Sequence, residues 1–243
     1  MKAARRRASP TGRGKVILAV GAHPDDLDFG CSGTVAKFVK EGASAYYVIC
    51  TNGSKGSDDP KMTSQKLTQI RKKEQFEAAK VLGIKKVFFF NHEDGELENN
   101  IELKEEITKI IRKVRPDTVF TVDPLMIYSQ KRGYINHPDH RACGQAVLDA
   151  VYPLSRDRLT FPHHQKERLK PHKVKEIYLV NFDTQDTFFD ISTTIDLKLK
   201  ALLKHKSQVS KESLQRVKEW ASRLGKKKGY KFAEGFKKII LKF

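Results

Sequence analysis

Residues 15–30 read KVILAVGAHPDDLDFG, and this stretch decides the fold. Its first part, residues 15–20, is a predominantly apolar run, which predicts a parallel strand that is buried on both faces. A cluster of His and Asp, AHPDD at residues 22–26, follows this strand directly. In an open α/β sheet, ligands bind at the carboxyl ends of the parallel strands. The cluster is therefore expected at a ligand-binding edge.

Strands and helices alternate along the chain as far as residue 151. Apolar runs predict further strands at 43–51, 86–90, 118–122 and 175–180. Helical spacing of apolar residues predicts helices at 30–41, 65–82, 101–114, 140–151, 194–205 and 211–224. Residues 152–173 are irregular, and a short segment ends the chain. This order predicts an α/β fold: a Rossmann-like, mostly parallel sheet with helices on both faces.

The net charge of +18 is concentrated at the two ends of the 243-residue chain. Residues 1–15 carry six Lys or Arg and no acid, and residues 198–243 carry fifteen Lys or Arg against three Glu. We therefore expect a basic flexible arm at 1–14, and a single domain at 15–243 with a basic helical C-terminal part. Three cysteines, no transmembrane segment and no secretory signal indicate a cytoplasmic protein.

A second cluster of His and Asp, NHPDH at residues 136–140, follows the strand predicted at 118–122. Because this strand and that at 15–20 belong to one sheet, both clusters are expected at the same edge. Imidazole nitrogen and carboxylate oxygen are ligands of Zn²⁺, and catalytic zinc sites have three protein ligands and an open position. The candidate metal ligands are His23, Asp26 and His140.

The other members of the two clusters suggest chemistry around such a metal. Asp25 follows the rigid Pro24 and is a candidate to take a proton from the metal-bound water. His137 lies one helical turn before His140 and is a candidate to stabilise an oxyanion or to protonate a leaving amine. Asp139 is a candidate to orient an imidazole through a hydrogen bond.

The two clusters resemble the signature motifs of the PIG-L/LmbE-like zinc-dependent N-deacetylases. AHPDD at 22–26 with Gly30, and HPDH at 137–140, carry the resemblance. Supporting similarities are TNG at 51–53, RKKE at 71–74, Asp94-Gly95, and HKSQ at 205–208. Some members of the family have a tyrosine two residues before the first His of the second motif. Here that position is Ile135, and Tyr134 precedes it.

The resemblance implies a hydrolase that removes the acetyl group from an N-acetylglucosamine-type amide, giving acetate and a free amino sugar. It implies one Zn²⁺ per chain, with the ligands His23, Asp26 and His140. Asp25 would be the general base and His137 the acid or electrostatic stabiliser, while Arg71 and Asp94 would contact the sugar or acyl group. The implied partner is a small N-acetylated sugar or glycoconjugate, and the chain could form a homo-oligomer.

Two other functions are open from the residues alone. Two His and one carboxylate also make the facial triad of a non-haem Fe(II) oxygenase, although such an enzyme has no use for Asp25 beside the metal. A basic chain could also be a nucleic-acid or anion-binding module that holds its partner with its ends. Since this module would leave both His/Asp clusters unexplained, we expect no specific nucleic-acid partner.

Overall fold

The strand predicted at residues 15–20 lies inside a seven-stranded sheet in the computed structural model, which describes residues 14–242. The strands, numbered in chain order, are β1 Val16–Gly21, β2 Ser44–Thr51, β3 Lys86–His92, β4 Thr118–Val122, β5 Tyr128–Ser129, β6 Tyr134–Ile135, β7 Glu176–Val180, β8 Thr187–Asp190 and β9 Ala233–Ile240. The helices are α1 Asp26–Gly30, α2 Ser32–Lys40, α3 Ser64–Leu82, α4 Ile101–Val114, α5 Pro138–Asp149, α6 Ile195–Leu202 and α7 Lys211–Lys226.

The order of the strands in the sheet is β3-β2-β1-β4-β7-β9-β8, and β5 and β6 form a separate hairpin. The pairs from β3 to β7 are all parallel, whereas β9 is antiparallel to both β7 and β8. The predicted α/β class and mostly parallel sheet are confirmed. The carboxyl ends of β1, β2, β3 and β4 lie at one edge, where the loops that carry the predicted site residues begin.

The residues of β1 alternate between two apolar cores, one on each face of the sheet. Ile17 and Ala19 belong to the core that includes residues of α2 and α3, and Leu18 and Val20 to the core that includes residues of α4 and α5. A strand with apolar residues at successive positions needs cover on both faces, because neighbouring side chains point in opposite directions. The apolar run at 15–20 therefore predicts that both faces of the sheet are covered, and helices do lie on both faces.

Helix α3 ends at Leu82, as predicted, and begins at Ser64, one residue before the predicted start. The Thr63 hydroxyl accepts a hydrogen bond from Lys66 N (3.2 Å) at the first turn. Gly83 follows the last helical residue with φ of 74°, in the left-handed region that glycine adopts without strain. The helix predicted at 30–41 is α2, and the short helix α1, which was not predicted, comes before it and meets it at Cys31.

The short final segment, for which the sequence predicted no strand, forms β9, so the basic C-terminal part contains a strand beside its helices α6 and α7. Strand β9 lies between β7 and β8, and Phe236 on it is completely buried. The chain's basic end is therefore built into the sheet. Residues 1–13 of the predicted basic arm lie outside the described residues. Within residues 14–242, no helix is both long enough and apolar enough to cross a membrane.

Candidate metal centre at the carboxyl edge of the sheet

The turn after β1 carries the first His/Asp cluster. The Ala22 carbonyl accepts hydrogen bonds from Thr51 N and Thr51 Oγ1 (2.8 and 2.9 Å), which join the ends of β1 and β2. His23 N donates to Asp26 Oδ2 (2.7 Å), so the carboxylate at the start of α1 folds back over the turn. These bonds place the side chains of His23 and Asp26 at the carboxyl edge of the sheet.

Helix α5 brings the second cluster to the same place. It begins at Pro138, two residues earlier than predicted, because the His137 ring caps it: Nδ1 accepts a hydrogen bond from Asp139 N (3.2 Å). Gly144 lets the helix approach β4, since a Cβ at this position would lie 2.5 Å from the Val122 carbonyl oxygen. The sequence alone does not point to this glycine, because its role depends on the contact between two elements.

The three predicted metal ligands are brought together. His140 Nε2 lies 3.0 Å from Asp26 Oδ1 and 3.3 Å from His23 Nδ1, and His23 Nδ1 lies 3.4 Å from Asp26 Oδ2. Ligands at about 2.0–2.1 Å from a tetrahedral zinc ion are about 3.3 Å apart. The nitrogen and oxygen atoms of this cluster therefore have the chemistry and the mutual spacing that such an ion requires.

Each imidazole of this cluster is oriented through its other nitrogen. His23 Nε2 lies 3.0 Å from Asp139 Oδ2 and 3.1 Å from Asp94 Oδ1, while His140 Nδ1 lies 3.0 Å from Asn136 Oδ1. Partners of this kind fix the tautomer and the ring orientation of a metal-binding histidine. They leave His23 Nδ1 and His140 Nε2 facing each other with their lone pairs available.

A second group of four side chains, which shares His23 with the first, also comes close enough to hold an ion: His23, Asp94, His137 and Asp139. Their carboxylates already have other partners, however. Asp139 Oδ2 accepts from Gly95 N (2.7 Å), and Asp94 Oδ2 accepts from Lys55 N (3.0 Å). These two acids therefore act as supports of His23, and the trio of His23, Asp26 and His140 is the better metal site. Asp139 lies where a residue that orients an imidazole should be.

The charges of the cluster favour a cation. Burial by itself lowers the pKa of His23, but Asp26, Asp139 and Asp94 raise that pKa to about 12. Burial likewise raises the pKa of Asp26, whereas the imidazoles of His140 and His23 bring it well below its ordinary value. The surrounding carboxylates stabilise a positive charge at this point, whether that charge is a proton or a metal ion.

Asp25 stands beside the cluster in a strained backbone conformation. Its φ of 95° is in the left-handed region, which costs a non-glycine residue about 1–3 kcal/mol. Its N–H donates to Gln75 Oε1 (2.9 Å), and its side chain is 13% exposed. Burial raises the pKa of the Asp25 carboxyl to about 7, although the neighbouring Arg71 lowers it. The carboxyl group is thus held at the edge of the cluster without being part of it.

A buried network lies behind Asp25. Gln75, on α3, donates through Nε2 to Asp28 Oδ2 (2.9 Å), and the same oxygen lies 2.8 Å from His205 Nε2. All three side chains are completely buried. His205 belongs to the HKSQ motif, and Asp28 to the opening stretch, but the sequence assigned neither a role. These two residues contact each other directly, and Gln75 links them to Asp25, which becomes visible only once α3 is packed against this turn.

The two predicted substrate contacts have other partners in the structure. Arg71 is 4% exposed, and it donates through Nη2 to the Pro24 carbonyl (2.7 Å) and through Nη1 to the Gly53 carbonyl (3.0 Å). Asp94 is buried against His23. Both residues therefore hold the loops around the metal cluster, with Arg71 Nη2 3.5 Å from the Asp25 carboxylate.

His137 flanks the cluster with its ring partly open to solvent. Its ring centre lies 4.6 Å from that of His23 and 5.4 Å from that of His140. Burial and the nearby charge of His23 lower the pKa of His137. Because Nδ1 accepts a backbone hydrogen bond, the neutral ring carries its proton on Nε2.

A cavity of about 720 Å³ opens beside the cluster. Asp26 and His140 line one part of it, and Tyr134 and Arg132 line another. The Tyr134 hydroxyl donates to Asn136 Oδ1 (3.1 Å), whereas the side chain of Ile135 is exposed. The tyrosine one position before Ile135 is therefore the one that faces the site.

Most of the chain is similar to proteins of known activity. The family described as PIG-L: GlcNAc-PI de-N-acetylase matches residues 18–151. The diacetylchitobiose deacetylase of Thermococcus kodakarensis is 29% identical over 92% of this chain and 82% of its own. A probable N-acetyl-alpha-D-glucosaminyl L-malate deacetylase 2 of Bacillus anthracis is 27% identical over 84% of this chain and 86% of its own.

Among solved structures, the N,N'-diacetylchitobiose deacetylase of Pyrococcus horikoshii is similar, with a TM-score of 0.84 and 32% sequence identity. The match covers 93% of this chain and 84% of that one. The three candidate metal ligands, His23, Asp26 and His140, all lie within residues 18–151, the range that the family matches.

Proposed function

The chain belongs to the PIG-L family, and from this premise we propose that it is a zinc-dependent hydrolase of an N-acetylglucosamine-type amide. Its products are acetate and a free amino sugar. The observation that carries the proposal is the convergence of His23, Asp26 and His140, with the separate carboxyl group of Asp25 beside them. This combination offers a metal site and a proton acceptor at the carboxyl edge of one sheet.

The donor set fits zinc, because it consists of two imidazole nitrogens and one carboxylate oxygen at the spacing of tetrahedral ligands. Asp139 and Asn136 keep the two rings turned toward each other. When bound, Zn²⁺ supplies Lewis acidity toward the amide carbonyl and lowers the pKa of water. One ion per chain is proposed.

Asp25 is proposed as the general base. Its strained backbone and the bond from its N–H to Gln75 fix where the carboxyl group points, and its partial exposure gives it access to a water molecule. It accepts a proton from the attacking water and passes a proton to the departing amine. Arg71, 3.5 Å away, favours the ionised carboxylate that the first of these steps needs.

His137 is proposed to stabilise the oxyanion of the tetrahedral intermediate. Its Nδ1 is occupied by the Asp139 N–H, so Nε2–H is the group that can donate to a developing negative charge. The ring lies against His23 and is partly exposed, which places the donor at the border between the cluster and solvent. Arg71 and Asp94 are proposed to act on the substrate indirectly, by holding Asp25 and His23.

The relatives are deacetylases, and this favours amide hydrolysis over the Fe(II) oxygenase and over the nucleic-acid module. A cytoplasmic location remains a proposal, supported by three cysteines that are buried and unpaired. Assembly into a homo-oligomer is a further proposal, supported by large apolar side chains that are exposed around the β5–β6 hairpin, namely Leu125, Ile127, Tyr128 and Ile135.

The test is acetate release from N-acetylglucosamine and from a β-linked disaccharide of it, measured with purified full-length protein. We expect acetate and free amine in equal amounts, without oxygen or any oxidisable cosubstrate. Chelation should abolish the release, and added zinc should restore it. Consumption of oxygen, or release of acetate that is indifferent to chelators, would contradict the proposal.

A further inference from the structure

Asp28 and His205 are two buried ionisable side chains that take no part in the proposed hydrolysis. Both are completely buried, and His205 Nε2 lies 2.8 Å from Asp28 Oδ2. Within residues 14–242, Asp28 Oδ1 and His205 Nδ1 have no hydrogen-bond partner. A buried ion pair that is satisfied only in part adds little to stability. The place of this pair in the fold therefore points to another role.

Asp28 is linked to Asp25 by two routes. Asp28 N donates to the Asp25 carbonyl (2.9 Å), which closes the turn at the start of α1. On its side chain, Asp28 Oδ2 accepts from Gln75 Nε2 (2.9 Å), and Gln75 Oε1 accepts from Asp25 N (2.9 Å). Both polar groups of the Asp25 backbone thus lead to Asp28. Because Asp25 has a φ of 95°, these bonds hold a turn that is strained.

The Gln75 amide can bind Asp25 in only one of its two orientations. The Asp25 N–H is a donor, so it needs the amide oxygen Oε1 as its acceptor. The Asp28 carboxylate is an acceptor, so it needs the amide nitrogen Nε2 as its donor. A flipped amide would place two donors together at Asp25 and two acceptors together at Asp28. Asp28 therefore fixes which end of the Gln75 amide faces Asp25.

His205 in turn holds the Asp28 carboxylate. Its Nε2 contacts Oδ2, the same oxygen that accepts from Gln75. The turn that carries His205 is attached to α3, because Ser207 N and Ser207 Oγ donate to Glu74 Oε1 and Oε2 (2.9 and 2.6 Å). Glu74 directly precedes Gln75 on α3. These contacts keep His205 in place relative to the amide that Asp28 orients.

We infer that Asp28 and His205 are positioning residues for Asp25. Asp28 orients the Gln75 amide, His205 holds Asp28, and Gln75 holds the backbone turn that aims the Asp25 carboxyl group. The inference rests on the proposed function, since it assigns the pair to the proposed general base. It extends the site to the turn after α6, which lies outside both His/Asp clusters.

The test replaces the pair by apolar residues in Asp28→Leu/His205→Phe. Because both partners are removed together, no uncompensated charge stays buried, and we expect the fold and the zinc content of the wild type. Acetate release from N-acetylglucosamine by the zinc-loaded protein should show a kcat about tenfold lower, with KM near that of the wild type, since an orienting hydrogen bond is lost. An unchanged kcat would overturn the inference.

The same replacement in the Gln75→Ala background separates positioning from a general structural effect. If the pair acts through Gln75, its loss there should lower kcat by less than about twofold further. Two independent structural effects would instead multiply, so a further loss of about tenfold would contradict a role that acts through Gln75.

Two single variants keep the test decisive if the double replacement does not fold. His205→Leu should lower kcat, and His205→Gln should recover most of that loss, because the amide nitrogen of Gln can donate to Asp28. Hydrogen exchange of the Asp25 amide, followed by NMR, should be faster in His205→Leu than in His205→Gln. Lys206→Gln, an exposed neighbour in the same turn, is the control for both measurements. Equal kcat and equal exchange in the two His205 variants would overturn the role of His205.

The outcomes also separate this inference from the proposed function. If the wild type releases acetate and Asp25→Asn does not, but loss of the pair leaves kcat unchanged, the positioning role fails and the deacetylase function stands. If the zinc-loaded wild type releases no acetate from any N-acetylated sugar, the proposed function fails and the role of the pair with it.

Discussion

At the scale of single residues, the proposed site assigns metal binding and proton transfer to two adjacent aspartates. Asp26 faces the imidazole nitrogens of His23 and His140, whereas Asp25 turns away into contact with Arg71. The positive φ of Asp25 allows the side chains of two successive residues to point toward different partners. If α1 began at Asp25 with helical backbone angles, the two carboxylates would not be directed to these different partners.

Asp25→Asn should keep the metal and lose most of the turnover. The amide has the same shape as the carboxyl group but cannot accept a proton, and loss of a general base costs about 10²–10⁴-fold in rate. Steady-state acetate release and metal analysis of the same preparation measure both effects. Asp26→Asn is the control, because it should lose the metal. If the two variants behaved the other way round, the roles assigned to these aspartates would be exchanged.

Asp139→Asn should weaken metal binding by about 10- to 100-fold without removing a ligand. Asp139 Oδ2 accepts from Gly95 N and from the His23 ring, and an amide cannot serve both bonds as well as a carboxylate does. A competition titration with a chromophoric chelator gives the affinity. An unchanged affinity would mean that Asp139 does not orient His23.

At the scale of elements, the site is a product of how helices pack on the sheet. Helix α3 delivers Gln75 to the backbone of Asp25, and α5 delivers His137 and His140 to the end of β1. The short loop after β3 adds Asp94. A small displacement of one helix should therefore move the side chains of the site and lower activity, even where the fold is kept.

Gln75→Ala should lower kcat by at least about tenfold while KM and metal content stay close to those of the wild type. The Asp25 N–H would lose its acceptor, so the strained turn that aims the carboxyl group would relax. Lys73→Ala, an exposed position on the same helix, is the matched control. Loss of metal in Gln75→Ala, or an unchanged kcat, would argue against this role in positioning.

Gly144→Ala should lower both stability and metal affinity. The added methyl group would lie 2.5 Å from the Val122 carbonyl oxygen, so α5 must move away from β4, at a cost of about 1–3 kcal/mol. The displacement would carry His140 away from His23. Thermal unfolding and zinc titration measure the two effects, and Gln145→Ala, on the same helix, is the control. A fully stable Gly144→Ala protein with normal zinc affinity would contradict the account of this contact.

The elements that sequence predicted are those whose patterns are local. The buried run of β1, the capped helix α3 and the two His/Asp clusters each carry their signal within a few residues. Strand β9 was not predicted, since its lysines obscure the apolar pattern and its place between β7 and β8 depends on long-range pairing. The contact of Gln75 with Asp25 was missed for the same reason: no spacing along the chain encodes which helix covers the turn.

At the scale of the whole molecule, the basic C-terminal part carries much of the positive charge and also supplies a strand of the sheet. Strand β9 pairs with β7 and β8 and buries Phe236 against the core. The lysines at the end of α7, Lys226 to Lys228, are exposed. Charge and structure can therefore be tested separately in this region.

Truncation before residue 233 should prevent stable folding, because it removes the strand that joins β8 to the sheet. Replacement of Lys226, Lys227 and Lys228 by Gln should instead leave thermal stability and turnover of a neutral sugar near wild type. It should weaken retention on an anionic resin at low salt, since such attraction is screened within about 8 Å at 0.15 M ionic strength. A stable, active truncated protein would show that β9 is dispensable.

The central claim is that His23, Asp26 and His140 hold one catalytic zinc ion, and a zinc titration of metal-free protein tests it most directly. Bound zinc and acetate release are measured on the same samples as zinc is added, for the wild type and for His140→Ala. The account predicts that wild-type activity rises in proportion to bound zinc and reaches its plateau at one equivalent, whereas His140→Ala neither binds zinc tightly nor recovers activity. Full activity in the metal-free wild type, or an equal plateau in His140→Ala, would contradict it.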